Sequence, residues 1–573
     1  MQRAPHDAPD VEVEPELGHV AQLIRTTRAT PELLERWLHA TWRDPVRFRR
    51  ALYLTAASRE SGAIKSRPEL GVDLYTDCIS SHLGHGRAAL VVVQDGRRVE
   101  ITYEALHARC SALASAWIRA GVKVGDTLAL LLPVGVEYCV ALMTGLRLGL
   151  VLTPVPPLGA TYARQRVLLA ATDHVVTQER WHHMLPPDLP PPLAAVARSG
   201  DATYATSHAY APGDVALRLL SAFGPQDALA ELAALPLHEG LLRDGLLVLA
   251  LEPSQRLAAP GRDVLQMQPL ALLCTWLAGA TWVECSLADV AAQPGLLSAC
   301  GVDVLGVEPH LRELIREQGA ESCRGVRSWY RSLSDRFDHD KWRTFSEMLA
   351  EREIPSFSLL YNAASGGAHL FSPRSLRDHV GRIWPAPGRS FIVSQVGASN
   401  LPALNATGVY TPLRDEEADA SLVRMVIAKL DHGWSLGGSI DQGPDARSLP
   451  LAEIAACARR HPSVGEASVL VLPGRWPNEA HVLLLAFVPD PELLEGPLAS
   501  EVLQLIAREL GERHVPERVE LFALHPRCDE QGARSDWCSS QYLSGLLGRK
   551  ARMPLFLTLS RLSWIFASHP NPS

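Results

Sequence analysis

Along the first 75 residues, apolar side chains recur three and four positions apart. The stretch PELLERWLHATW sets Leu33, Leu34, Trp37 and Leu38 on one side of a helix, so residues 1–75 read as a helical N-terminal extension. From about Leu83 the pattern changes to helices alternating with wholly apolar strands. TYEALHARCSALASAWIRAGV places Leu106, Cys110, Leu113 and Trp117 on one helical face, with Gly121 positioned to end the helix. A turn and a buried strand, KVGDTLALLLP, come next, then a helix, VEYCVALMTGLRLG, and a second apolar strand, LVLTPVPP. Strand–helix–strand with continuously apolar strands predicts a parallel sheet covered on both faces. The proline-rich LPPDLPPPL, residues 185–193, reads as a surface connector. Near Gly437 a second, smaller α/β unit begins. It carries the helices LAEIAACARRH and LASEVLQLIARELG and the strands ASVLVLP, HVLLLAFVP and ERVELFAL.

Composition narrows the function classes. A chain of 573 residues, 47% hydrophobic, can bury a large core and is long enough for several domains. The net charge of −8 is spread without long runs of one sign, which argues against a nucleic-acid partner. The ten cysteines form no C-x-x-C pair, and most sit in apolar surroundings such as EYCVALM. They read as small buried hydrophobes of a reducing compartment, and no metal site is expected from them. The tandem His182 and His183 in WHHM would point to opposite sides of a strand, a polar surface feature rather than a metal site. The polar, acidic start MQRAPHDAPDVEVEPELG has no apolar signal segment, and no run approaches the ~18 apolar residues of a spanning helix. The expectation is a soluble, cytoplasmic protein without a transmembrane segment.

The run from ITYEALHARC through AGVKVGDTLALLLPVGVEYCVALMTGLRLGLVLTPVPP resembles the adenylate-forming (AMP-binding) superfamily of acyl-CoA synthetases, fatty acyl-AMP ligases and peptide-synthetase adenylation domains. LLCTWLAGATWV and LAEIAACARRHPSVGEASVLVLPG extend the resemblance over roughly residues 75 to 547. It implies a large multi-layer α/β domain at 76–436, a smaller α/β C-terminal domain at 437–547, and an active site between them. Enzymes of this kind join a carboxylate to AMP at the expense of ATP, then pass the acyl group to coenzyme A or a carrier thiol. They hold the phosphates in a glycine-, serine- and threonine-rich loop ending in P-K-G. A glutamate in Y-G-x-T-E holds magnesium, an aspartate in T-G-D binds the ribose, and a C-terminal lysine meets the reacting groups.

This chain departs from that pattern at each charged position. GDVALRLLSAFGPQDAL aligns with the phosphate loop, where Ser221 fits and Gly224 alone allows close backbone approach. Phe223 is bulky there, and Asp227 brings negative charge toward a polyanion. The loop is expected to be relieved of phosphate duty and to run directly into a helix starting near Gln226 or Asp227, with Ala228, Leu229, Leu232 and Leu235 as its apolar stripe. In LLYNAASGGAHLF, Tyr361 and Asn362 align with Y-G, Ala364 with the threonine and Ser365 with the glutamate, and a neutral serine is a weak magnesium ligand. Tyr361 stacks on an adenine or is a core tyrosine; both readings stand. No T-G-D occurs near VRMVIAKLDHGWSLGG. Gly437 lines up with the hinge glycine, Gly438 stands where an arginine would, and Asp441 is a candidate remnant of the hinge aspartate. Ala533 lies at the position of the family lysine, with Arg534 one place on, either a phosphate-binding cation of different geometry or a solvated arginine.

The tail, residues 548–573, contains KARMPLFLTLSRLSWIFASHP, with Leu555, Phe556, Leu559, Leu562 and Phe566 on one stripe. It reads as an amphipathic helix that docks on the protein itself, or, through residues 554–567, on a partner or a membrane surface. Two functions of different class follow. One is a non-catalytic binding or scaffold relative linked to acyl metabolism or an assembly line, with no cofactor. The other is an active acid–thiol ligase using ATP and magnesium with a non-standard loop. An acyl carrier protein or coenzyme A is the expected partner in either case.

Overall fold

A computed structural model of the chain describes residues 31–58, 64–94, 96–157, 160–197, 204, 206–220, 229–261, 269–332, 339–362, 366–375, 382–389, 391–395, 407–414, 417–418, 425–429, 434–439, 451–473 and 480–523. Its first helices, α1 (Pro31–Arg43) and α2 (Pro45–Ala57), form where the sequence predicts them. Asp44 caps α2 by accepting the Arg47 N–H, and Pro45 occupies the first turn, where its missing N–H is no loss. Leu34, Trp37, Leu38, Phe48, Leu52 and Tyr53 turn inward and join the main core. The Trp42 indole donates to the Ala386 carbonyl, and the Gly388 N–H donates to Thr41 Oγ1. The N-terminal helices are thus packed into the large unit rather than trailing from it.

A short helix, α3 (Leu74–Cys78), is capped by Asp73. Next comes α4 (Tyr103–Arg119), capped by Thr102, on which Leu106, Cys110, Leu113 and Trp117 are buried as the apolar spacing requires. Gly121, at φ +95°, lets its own N–H reach the Ile118 carbonyl and the Val122 N–H reach that of Trp117, which closes the helix. The remaining helices used below are α5 (Val136–Leu148), α6 (Ala160–Ala170), α7 (Ala234–Arg243) and α8 (Leu270–Leu277).

The chain divides into two compact units: Met1–Pro156, Arg166–His182 and Pro186–Asp441 in one, Pro157–Gln165, His183–Leu185 and Gln442–Ser573 in the other. In the first unit β3 (Thr127–Leu131) and β4 (Val151–Val155) pair in parallel around α5, the strand–helix–strand unit expected from the apolar runs. With β5 (His174–Thr177), β6 (Val215–Leu220) and β7 (Leu229–Ala233) they make a five-stranded sheet of order β5-β3-β4-β6-β7.

A nine-stranded sheet has the order β14-β13-β12-β11-β10-β8-β9-β1-β2. Its strands are β1 (Ala88–Gln94), β2 (Arg97–Thr102), β8 (Arg256–Ala258), β9 (Thr281–Glu284), β10 (Val304–Val307), β11 (Ser328–Ser332), β12 (Ser356–Asn362), β13 (Gly367–Phe371) and β14 (Trp384–Pro385). Its middle is parallel, and antiparallel pairs close both edges.

An antiparallel sheet follows, built of β15 (Phe391–Gln395), β16 (Thr407–Arg414), β17 (Glu417–Ala418), β18 (Met425–Lys429) and β19 (Trp434–Ser439). Gly437 is the extra residue of a bulge in β19, between the pairs Leu436↔Ile427 and Gly438↔Val426. In the second unit β20 (Glu466–Pro473), β21 (Ala480–Val488) and β22 (Arg518–Ala523) form a three-stranded sheet against the helices Leu451–Arg459 and Leu498–Leu510. The fold class is the multi-layer α/β architecture with several sheets that the sequence pattern predicts.

Two local expectations fail. The segment from Leu229 is a strand, not the continuation of a helix beginning at Gln226 or Asp227: β7 runs antiparallel to β6 from Leu220↔Leu229 to Val215↔Ala233. LAELA is a strong helix former, but β6 offers an unpaired edge whose backbone groups need partners, and that tertiary demand overrides local propensity. The helix begins only at Ala234. His182 and His183 also leave the predicted strand; they lie in a 3-10 turn, Glu179–Met184. Among the described residues no group of three or more metal-ligating side chains comes together, and no helix is long and apolar enough to cross a membrane.

Candidate functional site

Open parallel sheets present ligand sites at the carboxyl ends of their strands, and β12 ends there at Tyr361 and Asn362. Two other elements converge on this end. The β6–β7 hairpin carries residues 221–228 as its connection, and α7 follows immediately. Gly366, which leads into β13, lies against β7 and α7. A Cβ built on it would sit 3.4 Å from Leu232 Cδ2, and a Cβ on Gly240 would sit 2.6 Å from the Gly366 carbonyl oxygen. Gly366 is at φ +65°, a region that favours glycine, so the pair GG in ASGGAH serves both the turn and the close approach. The fold therefore brings the loop-bearing hairpin beside the segment that resembles Y-G-x-T-E.

The chemistry at this junction differs from a nucleotide site. Tyr361 is 4% exposed and belongs to the main core, its phenol facing the Cys274 thiol of α8. Burial pushes the phenol well above its usual range, and the same cause raises Cys274. Tyr361 is enclosed among core side chains at this position. Asn362 pairs with Gly367 across the hairpin.

Next to them, Arg243 at the end of α7 and its neighbour Asp244 form a buried ion pair of 2.6 Å. Asp244 Oδ2 accepts the Ala368 N–H at 2.7 Å, and the Ala368 carbonyl accepts from Arg243 Nη2 and Arg389 Nε. Burial raises the Asp244 carboxyl, with the two arginines and the Ala368 N–H opposing. His369, the extra residue of a bulge between β12 and β13, is held neutral by burial and by Arg389 and Arg243. A magnesium–triphosphate group needs carboxylate oxygens that are not already committed. The Asp244 carboxylate is committed, so the described residues here do not fit that group.

A second buried polar cluster adjoins α7. His238 Nε2 lies 3.0 Å from Asp77 Oδ2 on α3, and His238 Nδ1 lies 2.7 Å from the Tyr53 hydroxyl on α2. Burial alone would raise Asp77, but the His238 hydrogen bond and charge, Ser66 and the Lys65 N–H hold its carboxyl below the usual range. Glu239 takes Arg49 of α2 at 2.7 Å.

Of the sequence candidates, Tyr361 and Asn362 are placed as above. Ser221, Gly224, Ser365, Asp441, Ala533 and Arg534, the whole C-terminal tail, Cys528 and Cys538 lie outside the described residues. The eight cysteines that are described are free and buried. The Asp77–His238–Tyr53 and Arg243–Asp244 groups were missed by motif reasoning. Their one sequence signal is a set of polar residues inside otherwise apolar helical stretches, HEGLLRD and LYTDCI.

Residues 82–211 match the family model described as AMP-binding enzyme. No curated protein matches the chain. Among solved structures, an artificially fused adenylation–PCP di-domain from Klebsiella oxytoca is similar, with 16% identity, a TM-score of 0.61, and coverage of 78% of this chain and 86% of that one. A fatty acyl-adenylate ligase from L. pneumophila, in complex with acyl adenylate and pyrophosphate, has 12% identity, a TM-score of 0.60 and coverage of 84% and 98%. Acetoacetyl-CoA synthetase from Streptomyces lividans has 16% identity, a TM-score of 0.60 and coverage of 90% and 91%. Residues 82–211 thus match the AMP-binding enzyme family, and the chain shares the fold of these solved structures.

Proposed function

We propose that the chain is a non-catalytic, strongly divergent relative of the AMP-dependent ligases, serving as a binding or scaffold protein for acyl metabolism or an assembly line. One observation carries this reading: at the end of β12, Tyr361 is sealed in the core and the adjacent Asp244 carboxylate is taken up by Arg243 and the Ala368 N–H. A tyrosine that stacks on adenine needs an open face. The sequence adds its own support, because SAFGPQDAL lacks lysine and threonine, Ser365 replaces the glutamate and Ala533 the lysine. Contacts of this kind are each worth ~3 kcal/mol of transition-state stabilisation, and the loss of several is hard to compensate. A fold shared with enzymes does not supply activity. The similar structures include an adenylation–PCP fusion and a CoA synthetase, which makes an acyl carrier protein or coenzyme A the partner to try first. The competing reading, an active acid–thiol ligase with Arg534 in place of the lysine, draws on the same family match.

Isothermal titration with ATP and magnesium tests the proposal. We expect no heat at millimolar ATP; micromolar binding would revive the ligase. A variant with Asp227→Lys, Ser365→Glu and Ala533→Lys is expected to release no pyrophosphate with ATP and a panel of carboxylates, because Tyr361 and Asp244 stay taken up by the core.

A further inference from the structure

We propose that the N-terminal helices α1 and α2 act as a built-in clamp on α7, and through α7 fix the end of β12 and the start of β13. The chain of contacts is continuous. Arg49 Nε reaches Glu239 Oε1 at 2.7 Å, and the Tyr53 hydroxyl reaches His238 Nδ1 at 2.7 Å. With its other nitrogen 3.0 Å from Asp77 Oδ2, His238 is held from two sides, by α2 and by α3. Each ring nitrogen of His238 thus faces one neighbour, Nε2 the carboxylate and Nδ1 the phenol. Asp77 is itself anchored, since Oδ1 accepts the Lys65 N–H at 2.7 Å.

The opposite face of α7 transmits the constraint. Gly240 abuts the Gly366 carbonyl, Leu237 lies beside Gly366, and Arg243 with Asp244 grips both sides of the Ala368 peptide. One helix thus has the N-terminal extension on one side and the Tyr361-bearing hairpin on the other. The extension is also fixed independently of α7, through Trp42 to Ala386 and Thr41 to Gly388, so it gives α7 a rigid backing. A polar group that grips one helix from two neighbouring elements favours one position for it. Release of α1 and α2 would free α7 and the β12–β13 hairpin together, while the β3–α5–β4 unit, which these contacts do not touch, would stay closed. The clamp does not depend on whether ATP binds, and its test contains no nucleotide.

Hydrogen exchange of the full chain is the measurement. Arg49→Glu sets two carboxylates against each other, as does Glu239→Arg for two guanidiniums, and each is expected to raise exchange at residues 234–248 and 359–371 at least tenfold. Residues 127–155 are expected to be unchanged. The double variant, with the charges exchanged, is expected to restore protection in both segments. Tyr53→Phe, which removes one hydroxyl and keeps the ring, is expected to raise exchange at 234–248 by a smaller factor and serves if a charge variant does not fold. The clamp is overturned if 234–248 is unaltered in the single variants and in Tyr53→Phe. It is equally overturned if every segment accelerates alike, or if 359–371 stays protected while 234–248 opens.

Discussion

An added methyl at Gly367 would press on Asp244 Oδ2 and come within 2.7 Å of Arg243 Nη2. Neither atom can retreat, because both belong to the ion pair that holds Ala368. Gly367→Ala is therefore expected to lower stability by about 2 kcal/mol, the usual cost of overpacking a tight interior. Thermal unfolding checks this, with Gly213→Ala, which meets nothing within 4 Å, as a control expected to be neutral. Glu284 gives a pH signature. Burial pushes its carboxyl up to about 8, opposed by the hydrogen bond it accepts from the Trp282 indole and reinforced by Asp289. The folded chain keeps this proton at neutral pH and the unfolded chain does not. Stability contributed by the group is complete below the ordinary carboxylate range and is lost as pH rises to about 8, then levels. Glu284→Gln should flatten that part of the profile in urea unfolding from pH 5 to 9; superimposable profiles would contradict the assignment. Such residues were beyond the reach of sequence reasoning. Tyr53 and His238 stand 185 positions apart, and nothing local marks them as partners.

At the scale of elements, legibility followed the strength of the pattern. The helix with Leu106, Cys110, Leu113 and Trp117 could be read because four apolar positions and a terminal glycine agree. LAELA could not, because its local preference is helical and its strand conformation comes from β6, a partner that closes on it only in three dimensions. The same misreading placed Leu232 on a helix stripe. In β7 it is 3% exposed and packs against Gly366, which makes it a link between the two hairpins of the site. Leu232→Ala is expected to cost about 3 kcal/mol, as for other buried leucines, since the glycine opposite cannot fill the space. Chemical denaturation measures it; a loss under 1 kcal/mol would mean that the hairpins are not coupled through this side chain. The resemblance names Tyr361 through its motif, but the environment of that side chain depends on α8 and Asp244, which no motif includes.

For the whole molecule, the alternation of strands and helices foretold an α/β chain with parallel pairing, but not the order of strands. β1 sits between β2 and β9, and the sheet containing them runs on to Pro385. The five-stranded sheet, by contrast, has its last strand by Ala233. This arrangement carries a consequence for biosynthesis. As the chain emerges from its N-terminus, the five-stranded sheet has every strand it needs before β9 exists. Among the described strands the β1–β2 hairpin is made first, but the second edge of β1, with the apolar run Leu90–Val93, has no neighbour until Thr281–Glu284 arrives. An open apolar edge recruits other strands, including those of other nascent chains. This early hairpin is therefore enclosed only after the five-stranded sheet that ends at Ala233, and its exposure on the ribosome is set by the distance in sequence from Gln94 to Thr281.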